Sequence, residues 1–164
     1  MNSQSVHHDT FVIERTFPSP PSKIFRALTD PVAKAQWFLP PGDWESSGYR
    51  FDCRVGGSEH LESLPPGEEP HVYDAFYHDV LPNRRVIFSY DMHLGERHLS
   101  VSLTTIELVP VAGGTRMAFT EQGAFLDGDP TGAISRLEGT QMLFDNLGRA
   151  LEGAEAPAAG GGRC

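Results

Sequence analysis

One carboxylate among apolar neighbours gives the strongest chemical signal in the sequence. Glu121 falls in the run 115–123, where the two-residue period of a strand places it on one face with Met117 and Phe119. If that face is the inner one, the carboxylate leaves water and needs a partner, and such residues often mark binding or catalytic sites. The alternative is a frayed strand end, with Glu121 in solvent or against a helix Lys or Arg. Tyr90 shares a face with Val86, Phe88 and Met92. That directs its hydroxyl inward, to a ligand or to a backbone carbonyl of the core. His78 lies in the run 71–81, whose two faces are equally mixed. The period therefore leaves open a groove-facing general base or hydrogen bonder and a residue of the outer face. Trp37, Phe38 and Trp44 flank Pro40-Pro41-Gly42; Trp37 reads as core packing and Trp44, on a loop, as part of a lid.

Other chemistries find less support. Cys53 alternates with Phe51 and Val55 as a small buried hydrophobe, and Cys164 ends the chain, so neither a disulfide framework nor a zinc site can be read. No Cys–His spacing suggests a nucleophile. The seven histidines offer no ligand pair at helical spacing, and no metal or cofactor is expected. Asp127-Gly128-Asp129 lacks the continuation of a calcium loop and reads as a loop and helix cap. Gly56-Gly57 and Gly113-Gly114 read as hairpin turns rather than phosphate cradles. A formal charge of −9, with the 13 basic residues scattered, argues against nucleic acid. No apolar run approaches the ~20 residues of a membrane span. The first residues lack the basic-then-apolar pattern of a secretory signal, and a cytoplasmic location is expected.

The elements that must position these groups follow from the periods. Residues 10–17 alternate as a strand. Two short helices follow, 23–28 and 31–38, the first capped by Ser19 or Ser22 and the second by Asp30 with Pro31 in its first turn. Strands then span 49–55, 58–64, 71–81, 84–93, 97–109 and 115–123, joined by short turns as an antiparallel meander. Ile134, Leu137, Phe144, Leu147 and Leu151 recur at three- and four-residue steps, with Gln141 in the one gap, and predict a helix of five or six turns. A half-buried sheet needs one face covered, and this last helix is the element long enough to cover it. The expectation is one α+β domain over 10–153, with flexible termini at 1–9 and 154–164.

Four stretches carry a family likeness: 17–31 (FPSPPSKIFRALTDP) followed by Trp37, 49–57 (YRFDCRVGG), 80–90 (VLPNRRVIFSY) and 115–123 (TRMAFTEQG). With the order of elements, they resemble the START-like (SRPBCC) superfamily, in the branch similar to the heat-shock-chaperone ATPase activator. The resemblance implies a helix-grip fold: a curved antiparallel sheet wrapped around a long C-terminal helix, with a cavity between. Many relatives of this branch carry Gly-Trp where this chain has Gly139-Thr140, which leaves room for a larger or differently shaped cavity.

Fold does not fix function. The leading expectation is a binding module for a small apolar or aromatic molecule, with Glu121, Tyr90, His78 and Trp44 as polar or lid contacts. Phe88, Met117, Phe119 and Phe144 would form its walls. A cyclase- or dehydratase-type enzyme, with Glu121 and His78 or Tyr90 moving protons on a polyketide-like substrate, is the alternative. A chaperone-activating interaction domain ranks last, since the chain shows no counterpart of the additional domain that the eukaryotic activators carry. A homodimer stays open.

Overall fold

The computed structural model describes residues 5–40, 42–126 and 131–161. Strand β1 (Val6–Phe17) leads into helices α1 (Pro21–Thr29) and α2 (Pro31–Phe38). Six strands follow: β2 (Glu45–Phe51), β3 (Ser58–Leu64), β4 (His71–Leu81), β5 (Arg85–Leu94), β6 (Arg97–Val111) and β7 (Gly114–Leu126). Helix α3 (Thr131–Gly161) closes the chain. The strands form one antiparallel sheet in the order β1-β7-β6-β5-β4-β3-β2, so the first strand returns to pair with the last. The sheet curves, and α3 packs against α1, α2, β1 and β7 as in a helix-grip fold. Phe144, Leu147 and Leu151 on α3 join Ile13, Met117 and Phe119 of the sheet in one buried cluster. Among the described residues no helix is long and apolar enough to cross a membrane.

The two small helices form where their starts are prepared. Pro31 fixes the first turn of α2, and the Asp30 carboxylate accepts from the Ala33 amide at 2.9 Å, the cap expected from the sequence. At α1 the expectation fails: Pro20 occupies the cap position with no side-chain cap bond. Ser19 is buried instead, its carbonyl accepting from the Thr115 hydroxyl at 2.7 Å. That bond ties the helix start to β7.

The ends differ from the expected boundaries. β1 begins at Val6 and its ladder runs unbroken from Val6↔Leu126 to Phe17↔Thr115, so backbone pairing orders residues that composition alone assigns to a loose terminus. The backbone of α3 continues helically past Gly153. Alanines favour this extension and a formed helix needs no new nucleus, whereas Pro157 and the two glycines of the segment oppose it. The expected loop at 127–130 and the last three residues lie outside the described residues.

A further correction concerns which face of α3 looks inward. Ile134 is exposed, as is Gln141, while Ala133 and Thr140 are buried. The inner line of the helix is therefore set one residue earlier in its N-terminal half. The position this turns toward the sheet is Arg136.

Candidate functional site

Residue phase along three neighbouring strands builds the site. On β7 the inward residues are Met117, Phe119 and Glu121, as the two-residue period requires. On β5 they are Val86, Phe88 and Tyr90. On β6, Ile106 and Leu108 fix the phase, and the same face continues as Thr104, Ser102 and Ser100, all buried, while Val101 and Leu103 are exposed. Hydroxyls thus sit where hydrophobicity alone would place aliphatic side chains.

Those hydroxyls surround Glu121, which is 1% exposed. Its Oε2 accepts from the Tyr90 hydroxyl at 2.7 Å, the Ser102 hydroxyl at 2.8 Å and Arg136 Nη1 at 3.1 Å. Arg136 also donates to the Tyr90 oxygen at 2.8 Å and to Ser100 Oγ at 2.7 Å. Burial works against the Arg136 charge, but Tyr90 and Glu121 outweigh it and leave its pKa above the ordinary value. Burial, followed by the Glu121 charge, holds the Tyr90 hydroxyl well above the usual phenol range. Glu121 Oε1, by contrast, is buried and has no hydrogen-bond partner among the described residues.

A second buried carboxylate, Glu59 on β3, meets Lys34 of α2 at 2.7 Å. Both of its oxygens are occupied: Oε1 accepts from Lys34 and from the Tyr77 hydroxyl at 2.7 Å, and Oε2 from the Tyr49 hydroxyl at 2.8 Å. The ammonium lies 4.4 Å from the Phe38 ring centre and 4.6 Å from that of Phe51. Burial is the main cause holding the Tyr77 and Tyr49 hydroxyls above the phenol range.

A cavity of about 80 Å³ touches both networks, with Lys34 and Tyr77 on one side and Glu121 and Tyr90 on the other. Its walls are apolar and largely aromatic: Trp37, Phe38 and Tyr73, then Phe88, Phe119 and Phe144. Phe119 and Phe144 meet edge to face at 5.0 Å, and Tyr73 lies 4.9 Å from Tyr90. Thr140 also lines the cavity, its hydroxyl turned back onto the Arg136 carbonyl at 2.7 Å. A larger, open depression of about 570 Å³ lies beside Pro21 and Asn83, but no buried charge converges on it.

Of the residues singled out from sequence, Glu121, Tyr90, Phe88, Phe119 and Phe144 line this cavity. Three do not. His78 occupies a β-bulge between Tyr77 and Asp79 and is exposed, with Nε2 2.7 Å from Ser89 Oγ. The bulge shifts the phase of β4, so Tyr73, Ala75 and Tyr77 face inward before it and Val80 packs on the core after it. That phase change is why both faces look mixed in the sequence. Trp44 meets the His71 ring at a tilt, 5.5 Å between centres, and is not among the residues that line the cavity. Met117 is fully buried in the core between sheet and helix but away from the cavity. Trp37 does pack in the core, its indole N–H donating to the Ala27 carbonyl at 2.9 Å, and it also lines the cavity. Cys53 is half-buried at the core's edge, and burial, with smaller charge effects, pushes its thiol up to about 11.

Sequence reasoning missed Arg136, Lys34 and Glu59. Lys34 stands three and four residues before Trp37 and Phe38, and Glu59 two before Leu61. Each therefore shares a face with buried apolar residues, the same signal that singled out Glu121.

A protein-family model described as Activator of Hsp90 ATPase homolog 1-like protein matches residues 18–152. An uncharacterised protein of Rhizobium leguminosarum has a solved structure 44% identical in sequence, with a TM-score of 0.86 over 91% of this chain and 97% of that one. The Mll3558 protein of Rhizobium loti is 40% identical, with a TM-score of 0.83 over 89% of this chain and 99% of that one. A Staphylococcus aureus protein of unknown function, SA2116, shares the fold at 16% identity and a TM-score of 0.76, over 92% and 98% of the two chains. No curated protein matches the chain.

Proposed function

The chain belongs to the Activator of Hsp90 ATPase homolog 1-like family, and from that premise we propose that it is a binding module for one small apolar or aromatic molecule held between sheet and α3. The observation that supports this most is the cavity itself: apolar, aromatic-walled, and lined by one member of each of two buried ion pairs. A structural core would be filled at that point, because close packing is worth more than empty space. Buried charge pairs stabilise a fold weakly at best, so their presence around the same space points to use rather than stability.

The test is native mass spectrometry of the purified protein, joined to titration with a fluorescent apolar probe. A stoichiometric small molecule, or a probe displaced by one, is the expected result. A protein that carries nothing and leaves the probe unbound refutes the reading.

The enzyme alternative retains one supporting observation, the 2.7 Å contact between Tyr90 and Glu121. His78 is turned away from that pair, and Arg136 neutralises the carboxylate that would serve as base. A container is the stronger reading. Activation of a chaperone ATPase, the property in the family's name, ranks below both: it needs a partner surface, and the charged and aromatic clusters described above are turned inward.

A further inference from the structure

Resting on the container reading, we propose that the occupant is a neutral, single-ring aromatic molecule with one hydrogen-bond donor, a phenolic hydroxyl or a ring N–H, given to Glu121 Oε1. The two buried carboxylates carry this inference by their contrast. Glu59 is closed within the protein, each oxygen taking at least one donor at 2.7–2.8 Å. Glu121 is equally buried and lines the cavity, yet three donors crowd onto Oε2 while Oε1 has none. A buried acceptor without a partner is costly, and a donor arriving from the cavity side would remove that cost.

Charge narrows the class further. Arg136 already balances Glu121, and Glu59 already balances Lys34. An ammonium on the occupant would add an uncompensated buried charge, and a carboxylate would meet Oε1 as a like charge. Size and walls set the rest. At about 80 Å³ the cavity falls below the roughly 150 Å³ that accepts benzene, so one ring is as much as modest side-chain movement admits. Aromatic walls such as Tyr73, Phe88 and Phe119 suit an aromatic guest. A competing donor exists: Thr104 pairs with Glu121 across β6 and β7, and its buried hydroxyl also has no partner among the described residues. If that hydroxyl turned onto Oε1, the protein would close the gap itself and no donor on the guest would be favoured.

Calorimetric titration of the full-length protein with phenol, toluene, benzylammonium and benzoate separates these cases, run on wild type and on Glu121→Gln. Phenol should bind wild type more tightly than toluene, and both ions at least about tenfold more weakly than phenol. The phenol-over-toluene preference should fall by on the order of 10- to 100-fold in Glu121→Gln, the worth of a hydrogen bond to a charged group. Toluene binding wild type as well as phenol does overturns the inference while leaving the container intact, as does benzylammonium binding best. The wild-type comparison stands even if the variant does not fold. Failure of all four to bind refutes the container, and the inference with it.

Discussion

Replacing Arg136 by Met tests whether the buried network is electrostatic in the way its geometry implies. The substitution keeps the length of the apolar stem and removes the guanidinium that contacts Glu121, Tyr90 and Ser100. Glu121, with 1% of its side chain exposed, then loses the one ion pair given for it among the described residues. Removing one partner of a buried pair costs about 3–5 kcal/mol, because the remaining charge stays desolvated. For a domain of this size that corresponds to a fall in midpoint of about 6–20 °C. Urea unfolding followed by the fluorescence of buried Trp37 measures it, with the slope against denaturant expected to hold. The decisive comparison is the double variant Arg136→Met/Glu121→Gln. With the charge gone as well, most of the loss should return, to within about 1–2 kcal/mol of wild type. A single variant within about 1 kcal/mol of wild type would show that water reaches Glu121. A double variant no better than the single one would assign the loss to the packing of the guanidinium over Tyr90 and Phe125, 5.4 and 5.3 Å from the ring centres.

Three shorter predictions follow from the same coordinates. Phe144→Ala should destabilise by about 3–5 kcal/mol in thermal unfolding, since its ring is 2% exposed and joins the helix to Phe119. Gly114→Ala should cost about 1–3 kcal/mol in the same assay, because a Cβ there would lie 2.0 Å from the Phe17 carbonyl oxygen and force β1 from β7. Cys53, its thiol pushed from 9.0 up to about 11, should be alkylated by iodoacetamide at pH 8 on the order of 10²-fold more slowly than an unperturbed thiol. The thiolate fraction grows as pH rises, so the rate should climb tenfold per pH unit until about 11, read by peptide mapping that separates Cys53 from Cys164.

The strands and helices were legible because their periods are clean: the sequence places α2, β3 and β4 at the boundaries observed. Glu121 and Tyr90 were legible for the same reason, each sitting in step with apolar neighbours. His78 was not, because a bulge inserts a residue and reverses the phase of β4, and no residue type announces it. Arg136 was hidden by a different effect. The apolar stripe of α3 favours Ile134 and Gln141 on the inner line, but the helix turns Arg136 inward instead, toward Glu121 on the preceding strand. The pairing depends on a residue outside the helix, and the period of a single element cannot register it. The serines of β6 announce nothing by their type, and it is Ile106 and Leu108 that set the phase and carry Ser100 and Ser102 inside with them.

The two buried ion pairs also bear on how much stability this protein forgoes. Apolar side chains of matching volume in place of Glu121, Arg136 and their hydroxyl partners would be neutral or stabilising by about 1–4 kcal/mol, judged by other proteins in which buried pairs were replaced. Such a variant would be at least as stable, and its cavity would keep its size while losing its polar contacts. By that measure the buried pairs add little to the stability of the fold, and one member of each lines the same cavity. Selection for endurance alone would erase that void first. The binding proposed above would account for a void left among so many aromatic side chains.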